Sequence, residues 1–116
     1  MSDIQISIVI PVYNEEANLD ALMKRLMPVM KGLGKRFEII LIDDGSRDNS
    51  LEVLKEFAKE PSVKVVELTR NYGQHAAIMA GFSVCTGSIV VTMDADLQNP
   101  PEEIPKLIKV MEEGSY

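Results

Sequence analysis

Acidic and amide side chains recur at every second position after an apolar run at residues 90–93, as Asp94, Asp96 and Gln98. In an extended segment alternate side chains share a face, so we expect these three to point the same way. Two carboxylates on one side repel each other unless a cation lies between them. Mg²⁺ and Mn²⁺ prefer oxygen ligands and commonly share them with substrate phosphates. Because a lone Asp-x-Asp is also typical of a solvated turn, the interpretation depends on the elements around it.

Strand-like and helix-like patterns alternate along the whole chain. Apolar runs rich in β-branched residues predict strands at 6–12, 37–42, 63–68 and 88–93. Apolar residues spaced by three and four predict helices that contain 19–30, 51–58, 74–84 and 104–111. Pro28 is expected to kink the first helix or to end it near Met27. The alternation predicts an α/β fold, with a parallel sheet covered by helices on both faces.

Polar side chains follow every predicted strand. In such sheets ligands bind at the carboxyl ends of the strands, so these side chains are expected to meet at one rim. Four polar clusters at one rim predict a ligand site. In chain order the clusters are Tyr13, Asn14 and Glu15; Asp43 and Asp44; Arg70, Asn71 and Gly73; and Asp94, Asp96 and Gln98.

The absence of two phosphate-binding motifs limits the kinds of ligand expected at the rim. No G-x-x-x-x-G-K-[ST] occurs, and no G-x-G-x-x-G follows the first strand, so neither a P-loop nor a dinucleotide site is expected. Tyr13, Glu15 and one of Asp43 and Asp44 could hold a base and ribose. The acidic triplet could hold a metal-bound diphosphate beside them. The rim therefore predicts a nucleotide-sugar site.

The size and charge of the chain limit its domain number and the functions it could have. The 116 residues suit a single domain, and a net charge of −6 argues against non-specific nucleic-acid binding. A single cysteine excludes an internal disulfide. No stretch approaches the roughly 20 apolar residues of a membrane span, so the chain is expected to be soluble.

Three motifs in order resemble the family 2 glycosyltransferases of the GT-A fold. They are V-I-P-V-Y-N-E at 9–15, I-D-D-G-S-x-D at 42–48 and M-D-A-D-L-Q at 93–98. Residues 71–75 and 94–105 are similar to the polyprenyl-phosphate glycosyltransferases, which include dolichol-phosphate-mannose-synthase-like enzymes. The resemblance covers this whole chain but only about the first third of the family. It implies a Rossmann-like nucleotide-binding half of about four strands and four helices.

The resemblance assigns a base-binding role to the first two clusters. Pro11, Tyr13 and Glu15 match the segment that lines the nucleobase and ribose. Asp43 or Asp44 matches the acid that hydrogen-bonds the base, with a slight preference for Asp44. The alternative is that Pro11 and Tyr13 only shape a turn and that one aspartate caps a helix.

The resemblance assigns the metal and the diphosphate to the third cluster. It implies Asp94 and Asp96 as catalytic, metal-binding acids, Gln98 as a further ligand, and Asp94 as a contact of the nucleotide sugar. His75 is tempting as a catalytic base, but we expect it to be a polar residue in the first turn of its helix, whose free N–H groups face phosphate.

The implied reaction is an inverting, Mg²⁺- or Mn²⁺-dependent transfer of a sugar to a polyprenyl phosphate, in cell-envelope synthesis. UDP-sugar is favoured over GDP-sugar as the donor. Residues 1–116 correspond to the nucleotide-sugar-binding part, while the acceptor half and the membrane helices have no counterpart. We therefore expect a donor-binding half that transfers sugar poorly alone and self-associates through an exposed sheet edge. The longer protein is expected at the cytoplasmic membrane face.

Two other classes of protein are alternatives to this hypothesis. A phosphoacceptor receiver domain also gathers Mg²⁺ between aspartates at strand ends. It requires an acid pair after the first strand and an aspartate after the third, where this chain has residues 13–15 and 69–71. The other class is a nucleotide-binding module without catalysis.

Overall fold

One parallel sheet with four strands organises the computed structural model, which describes residues 3–98 and 100–113. Strands and helices alternate, as the sequence pattern predicts. The strands are β1 (Ile6–Val12), β2 (Phe37–Asp43), β3 (Val63–Glu67) and β4 (Ile89–Thr92). The helices are α1 (Glu16–Gly32), α2 (Ser50–Phe57), α3 (Gln74–Val84) and α4 (Ile104–Glu112), with a 3-10 turn (Pro101–Glu103) before α4.

The strand order is β3-β2-β1-β4, and all three pairings are parallel. The chain therefore winds outward from β1 in one direction to β3 and then crosses over to place β4 on the other side. This is the Rossmann order, whereas receiver domains place their third strand next to the first. The predicted α/β fold is confirmed, and the receiver hypothesis is wrong.

Helices cover both faces of the sheet because its two central strands are apolar on both sides. Alternate β1 residues such as Ile8 and Ile10 pack with α1, α2 and α4 in the larger core cluster. Val9, Ile40 and Ile42 point to the other face and pack with Ala77 of α3. Burial on both faces explains why the sequences of these two strands are nearly continuous apolar runs.

Small residues bring α3 close to the sheet, as the sequence suggests. Ala77 and Gly81 are its buried residues. A Cβ on Gly81 would lie 2.6 Å from Cγ1 of Val9 and 2.8 Å from Cδ1 of Ile42. The close packing sets the position of the first turn of α3, which reaches the rim of the sheet.

Pro28 does not end the first helix near Met27, so that part of the expectation is wrong: α1 continues to Gly32. Pro28 lies on the exposed side of the helix, while Leu26 and Met30 around it are fully buried. Burial of both flanking turns offsets the backbone hydrogen bond that proline removes.

The β4 strand has one unpaired edge within the described residues, because it pairs only with β1. An apolar groove lies beside it, and Leu107 and Val110 of α4 are 47% and 42% exposed there. Self-association through this edge stays a prediction. Over the described part of the chain, every helix falls short of the length and apolar content needed to cross a bilayer.

A buried carboxylate links three strands at the opposite end of the sheet. Glu38 is 2% exposed and accepts hydrogen bonds from Oγ of Ser7 at 2.6 Å and from Nζ of Lys64 at 2.7 Å. The N–H of Thr86 donates to the same carboxylate at 2.7 Å. The network thus ties the loop before β4 to β1, β2 and β3.

Candidate functional site

A cavity of about 470 Å³ opens at the carboxyl ends of the strands. The volume is in the range of small-molecule sites, and the place is the crevice where the strand order reverses, between β1 and β4. All four polar clusters of the rim contribute to its wall. The lining residues are Pro11, Val12, Tyr13, Glu15, Asp44, Asn71, Gly73, Gln74, Asp94, Ala95, Asp96 and Gln98.

The cavity opens because β4 leaves β1 early. Pairing between them ends at Val9 and Thr92, whereas β1 continues beside β2 to Val12. The last hydrogen bond between β4 and β1 runs from the N–H of Met93 to the carbonyl of Val9. The backbone nitrogen of Pro11, two residues further along β1, faces the same side, beyond the end of the β4 pairing, so the N–H that proline lacks is not required there. A proline is tolerated in this central strand because it lies at the mouth of the crevice.

The loop after β1 is tied to the loop after β2 by reciprocal hydrogen bonds. The N–H of Asn14 donates to Oγ of Ser46 at 3.0 Å, and the N–H of Arg47 donates to Oδ1 of Asn14 at 2.8 Å. The N–H of Glu15 donates to Oγ of Ser50 at 3.0 Å. Asn14 has φ of 52°, a left-handed conformation that asparagine tolerates. These bonds fix the backbone directly after the cavity-lining Tyr13.

The two adjacent aspartates are both buried but face different surroundings. Asp44 lines the cavity, and Asp43 does not. Oδ1 of Asp43 accepts from the N–H of Ser46 at 3.3 Å, which shapes its own turn. Side-chain direction therefore distinguishes the two neighbouring acids, because only Asp44 of the two points into the cavity.

Asp44 also holds the loop that precedes α3. Its carboxylate accepts from the N–H of Tyr72 at 2.8 Å, from the N–H of Gly73 at 3.0 Å and from Nδ2 of Asn71 at 3.2 Å. A carboxylate has about four acceptor positions, so about one is left for a ligand. Neither aspartate caps α2, whose N-cap residue is Asn49.

Asp94, Asp96 and Gln98 all line the cavity, but not through an extended strand. That expectation is wrong, because β4 ends at Thr92 and a turn follows. The N–H of Gln98 donates to Oδ1 of Asp96 at 3.2 Å, and Leu97 has φ of 65°. A left-handed leucine is strained, and such strain is common where a loop is shaped for function.

Asn71 and Gly73 were expected at the rim without an assigned role, and Gln74 is a polar cavity residue that the sequence analysis missed. Nε2 of Gln74 donates to Oδ1 of Asp94 at 3.1 Å. The position of residues 71–74 between a strand and a helix is the sequence feature that could have indicated a role in the site. His75, the next residue of α3, is exposed and does not line the cavity.

The oxygen atoms of the side chains at this end of the cavity suit a hard divalent cation that also binds the phosphates of a substrate. Within residues 3–98 and 100–113, no group of three or more His, Cys, Asp or Glu side chains is placed to hold a metal. Asp94 and Asp96 would provide two carboxylates, and Gln98 an amide oxygen. Mg²⁺ is usually held by one or two carboxylates together with substrate phosphates and water. These residues suit that mode and not a closed protein cage.

Sequence comparison identifies relatives over nearly the whole chain. The family model "Glycosyl transferase family 2" matches residues 7–116. An undecaprenyl-phosphate 4-deoxy-4-formamido-L-arabinose transferase of Pseudomonas savastanoi pv. phaseolicola is 58% identical over 112 residues. The match covers 94% of this chain and 33% of that relative. The chain thus spans about a third of the length of the curated relatives it matches.

Solved structures of similar fold hold nucleotides. The mannosyltransferase PcManGT from Pyrobaculum calidifontis, in complex with GDP-Man and Mn²⁺, is 22% identical with a TM-score of 0.76, over 90% of this chain and 31% of that one. Glucosyl-3-phosphoglycerate synthase from Mycobacterium tuberculosis, in complex with Mn²⁺, UDP and glucosyl-3-phosphoglycerate, is 25% identical with a TM-score of 0.70, over 92% of this chain and 39% of that one. With these matches the family resemblance is confirmed: the chain belongs to glycosyl transferase family 2.

Proposed function

We propose that this chain binds a nucleoside-diphosphate sugar, with UDP-sugar preferred, and a Mg²⁺ or Mn²⁺ ion in the rim cavity. In the longer protein, we propose that the bound sugar is transferred with inversion to a polyprenyl phosphate at the cytoplasmic membrane face. Residues 1–116 would then form the donor-binding part of the enzyme.

One observation carries the proposal: a single cavity contains both groups of residues that a nucleotide sugar needs. Tyr13, Glu15 and Asp44 lie on its wall together with Asp94 and Asp96. These residues come from three different strand ends and meet only in the folded chain. The names of the relatives and the nucleotides in similar structures support the same assignment.

At the base end, the residues provide an apolar wall and polar acceptors. Tyr13 is 40% exposed, so its ring is free to contact a flat base. Asp44 is held by the loop before α3, and its remaining acceptor position suits a base N–H. Oε2 of Glu15 is occupied by Nδ2 of Asn18 at 2.8 Å, which fixes the carboxylate beside the ribose position.

At the diphosphate end, Asp94, Asp96 and Gln98 would hold the divalent ion. When bound, that ion supplies positive charge where the departing diphosphate becomes more negative. The acceptor phosphate has a second pKa of about 6 and is largely dianionic at neutral pH, so it needs little help from a general base. No side chain of this cavity is therefore assigned as a base.

Replacement of the acidic ligands tests the proposal. In calorimetric titrations, we expect the wild-type chain to bind UDP more tightly with Mn²⁺ than with EDTA, and more tightly than GDP. Asp94→Asn and Asp96→Asn should each lose at least about tenfold of the Mn²⁺-dependent affinity, because a charged contact to the ion is removed. Their affinity for UDP in EDTA should not fall below the wild-type value, because without the ion a carboxylate only repels the diphosphate.

Asp20→Asn is the matched control, since Asp20 lies on the exposed side of α1, away from the cavity, and forms a surface ion pair with Lys24 at 2.9 Å. It should behave as wild type. Absence of UDP binding in either condition, or equal binding with Mn²⁺ and with EDTA, would contradict the proposed site.

A further inference from the structure

Gln74 is placed to control the direction of the Asp94 carboxylate. It is the first residue of α3 and lines the cavity. Its Nε2 donates to Oδ1 of Asp94 at 3.1 Å, which leaves Oδ2 of Asp94 available to another partner. The bond joins the start of α3 to the turn after β4, and the two residues are 20 positions apart in the sequence.

The backbone that carries Gln74 is held firmly. The carboxylate of Asp44 accepts the N–H groups of the two preceding residues, Tyr72 and Gly73. Nδ2 of Asn71 also donates to the carbonyl of Asp44 at 3.2 Å. The segment Asn71–Gln74 is therefore tied to the base end of the cavity at one side and to Asp94 at the other.

The chemistry of this bond suits a metal ligand. A neutral amide orients a carboxylate without cancelling its charge, whereas a lysine or arginine would compete with the cation. Among the ion pairs formed by the described residues, none involves Asp94 or Asp96. Groups that hydrogen-bond a ligand from behind commonly change metal affinity by about 10- to 100-fold.

We infer that Gln74 is a positioning residue: it holds one oxygen of Asp94 and thereby directs the other toward the divalent ion. This inference rests on the proposed function, because it requires the metal to bind at Asp94. It adds a residue of α3 to the site and links the metal end to the loop that Asp44 holds.

Gln74→Met tests the inference, because methionine keeps the length and the helix propensity of glutamine but cannot donate. Mn²⁺ binding is measured by electron paramagnetic resonance, first with the metal alone and then with UDP. UDP binding in EDTA is measured by calorimetry. We expect about tenfold weaker Mn²⁺ binding and unchanged metal-free UDP binding.

Gln5→Met is the matched control. Gln5 lies at the other end of β1, and the substitution also removes one side-chain hydrogen bond, to the N–H of Arg36 at 3.1 Å. It should leave Mn²⁺ binding unchanged. Wild-type Mn²⁺ affinity in Gln74→Met would overturn the inference and leave the proposed function standing. A loss of UDP binding in EDTA would also overturn it, since Gln74 would then act on the nucleotide. A wild-type chain that binds neither Mn²⁺ nor UDP would overturn both.

Discussion

Gly45→Ala is expected to lower the free energy of unfolding by about 3 kcal/mol, from a left-handed backbone and a direct clash together. Gly45 has φ of +70°, and a Cβ there would lie 2.3 Å from the carbonyl carbon of Arg70 and 2.4 Å from the nitrogen of Asn71. Both neighbours are backbone atoms, so no side chain can rotate away. Urea unfolding followed by circular dichroism measures the loss.

Gly34→Ala separates the two causes. Gly34 has φ of +69°, nearly the same as Gly45, but nothing lies within 4 Å of its Cβ position. This variant should lose only about 1 kcal/mol, the cost of the left-handed conformation. An equal loss of unfolding free energy in the two variants would show that the loop before α3 moves away from the new Cβ at little cost. Asp44 and Gly45 would then not hold that loop in place.

The fold was predictable because its periodic signals are long and agree with one another. The run at Ile6–Val12 is buried on both faces, and its boundaries in the structure are those predicted. The helix Gln74–Val84 was also predicted with its exact ends, because Gly73 precedes it and its small residues require close packing. In both elements local preference and tertiary packing favour the same structure.

The predictions from sequence were wrong where tertiary contacts, or their absence, outweighed a local sequence rule. The rule of alternating side chains assumes an extended chain, and it failed beyond β4 because the described pairing of β4 with β1 ends at Thr92. Asp94 and Asp96 still reach the cavity, through a turn that includes the left-handed Leu97. Proline as a helix terminator failed at Pro28, because burial of the helix on both sides of it is the larger effect.

Part of the candidate site depends on side-chain direction, which a sequence does not contain. Asp43 and Asp44 have the same side chain and neighbouring positions, so only the backbone conformation decides which one lines the cavity. Gln74 and Asp94 are connected by a hydrogen bond across two elements. They come within hydrogen-bond distance only because the crossover places α3 beside β1. No local sequence pattern predicts such a contact.

Glu38→Gln is the second substitution with a large expected effect. One oxygen of Glu38 accepts from Ser7 and from both the N–H and the hydroxyl of Thr86, while the other accepts from Lys64. An amide has a donor on one side, so either orientation of glutamine places N–H₂ against a donor. Hydrogen bonds to a charged group contribute about 1.5–3 kcal/mol each, and we expect a loss of about 2–3 kcal/mol at pH 7.

The effect should depend on pH in a defined direction. Burial alone would raise the pKa of Glu38, but the bonds from Lys64, Ser7 and Thr86 outweigh it and hold the pKa below the usual value of 4.5. A lowered pKa in the folded state stabilises the protein above the unfolded-state pKa, and this stabilisation is lost as the pH falls. The difference in unfolding free energy between wild type and Glu38→Gln should therefore be greatest near neutral pH and shrink below about pH 4.5.

Urea unfolding of wild type and Glu38→Gln across this pH range measures that difference, and Glu102→Gln provides the control. Glu102 also has a lowered pKa, from its hydrogen bond with Arg25, but the pair lies on the surface. Solvent screens such pairs, so Glu102→Gln should differ little from wild type at any pH. If Glu38→Gln followed Glu102→Gln, the buried network would not hold the loop before β4. A difference that grew as the pH fell would show instead that Glu38 is protonated in the folded chain.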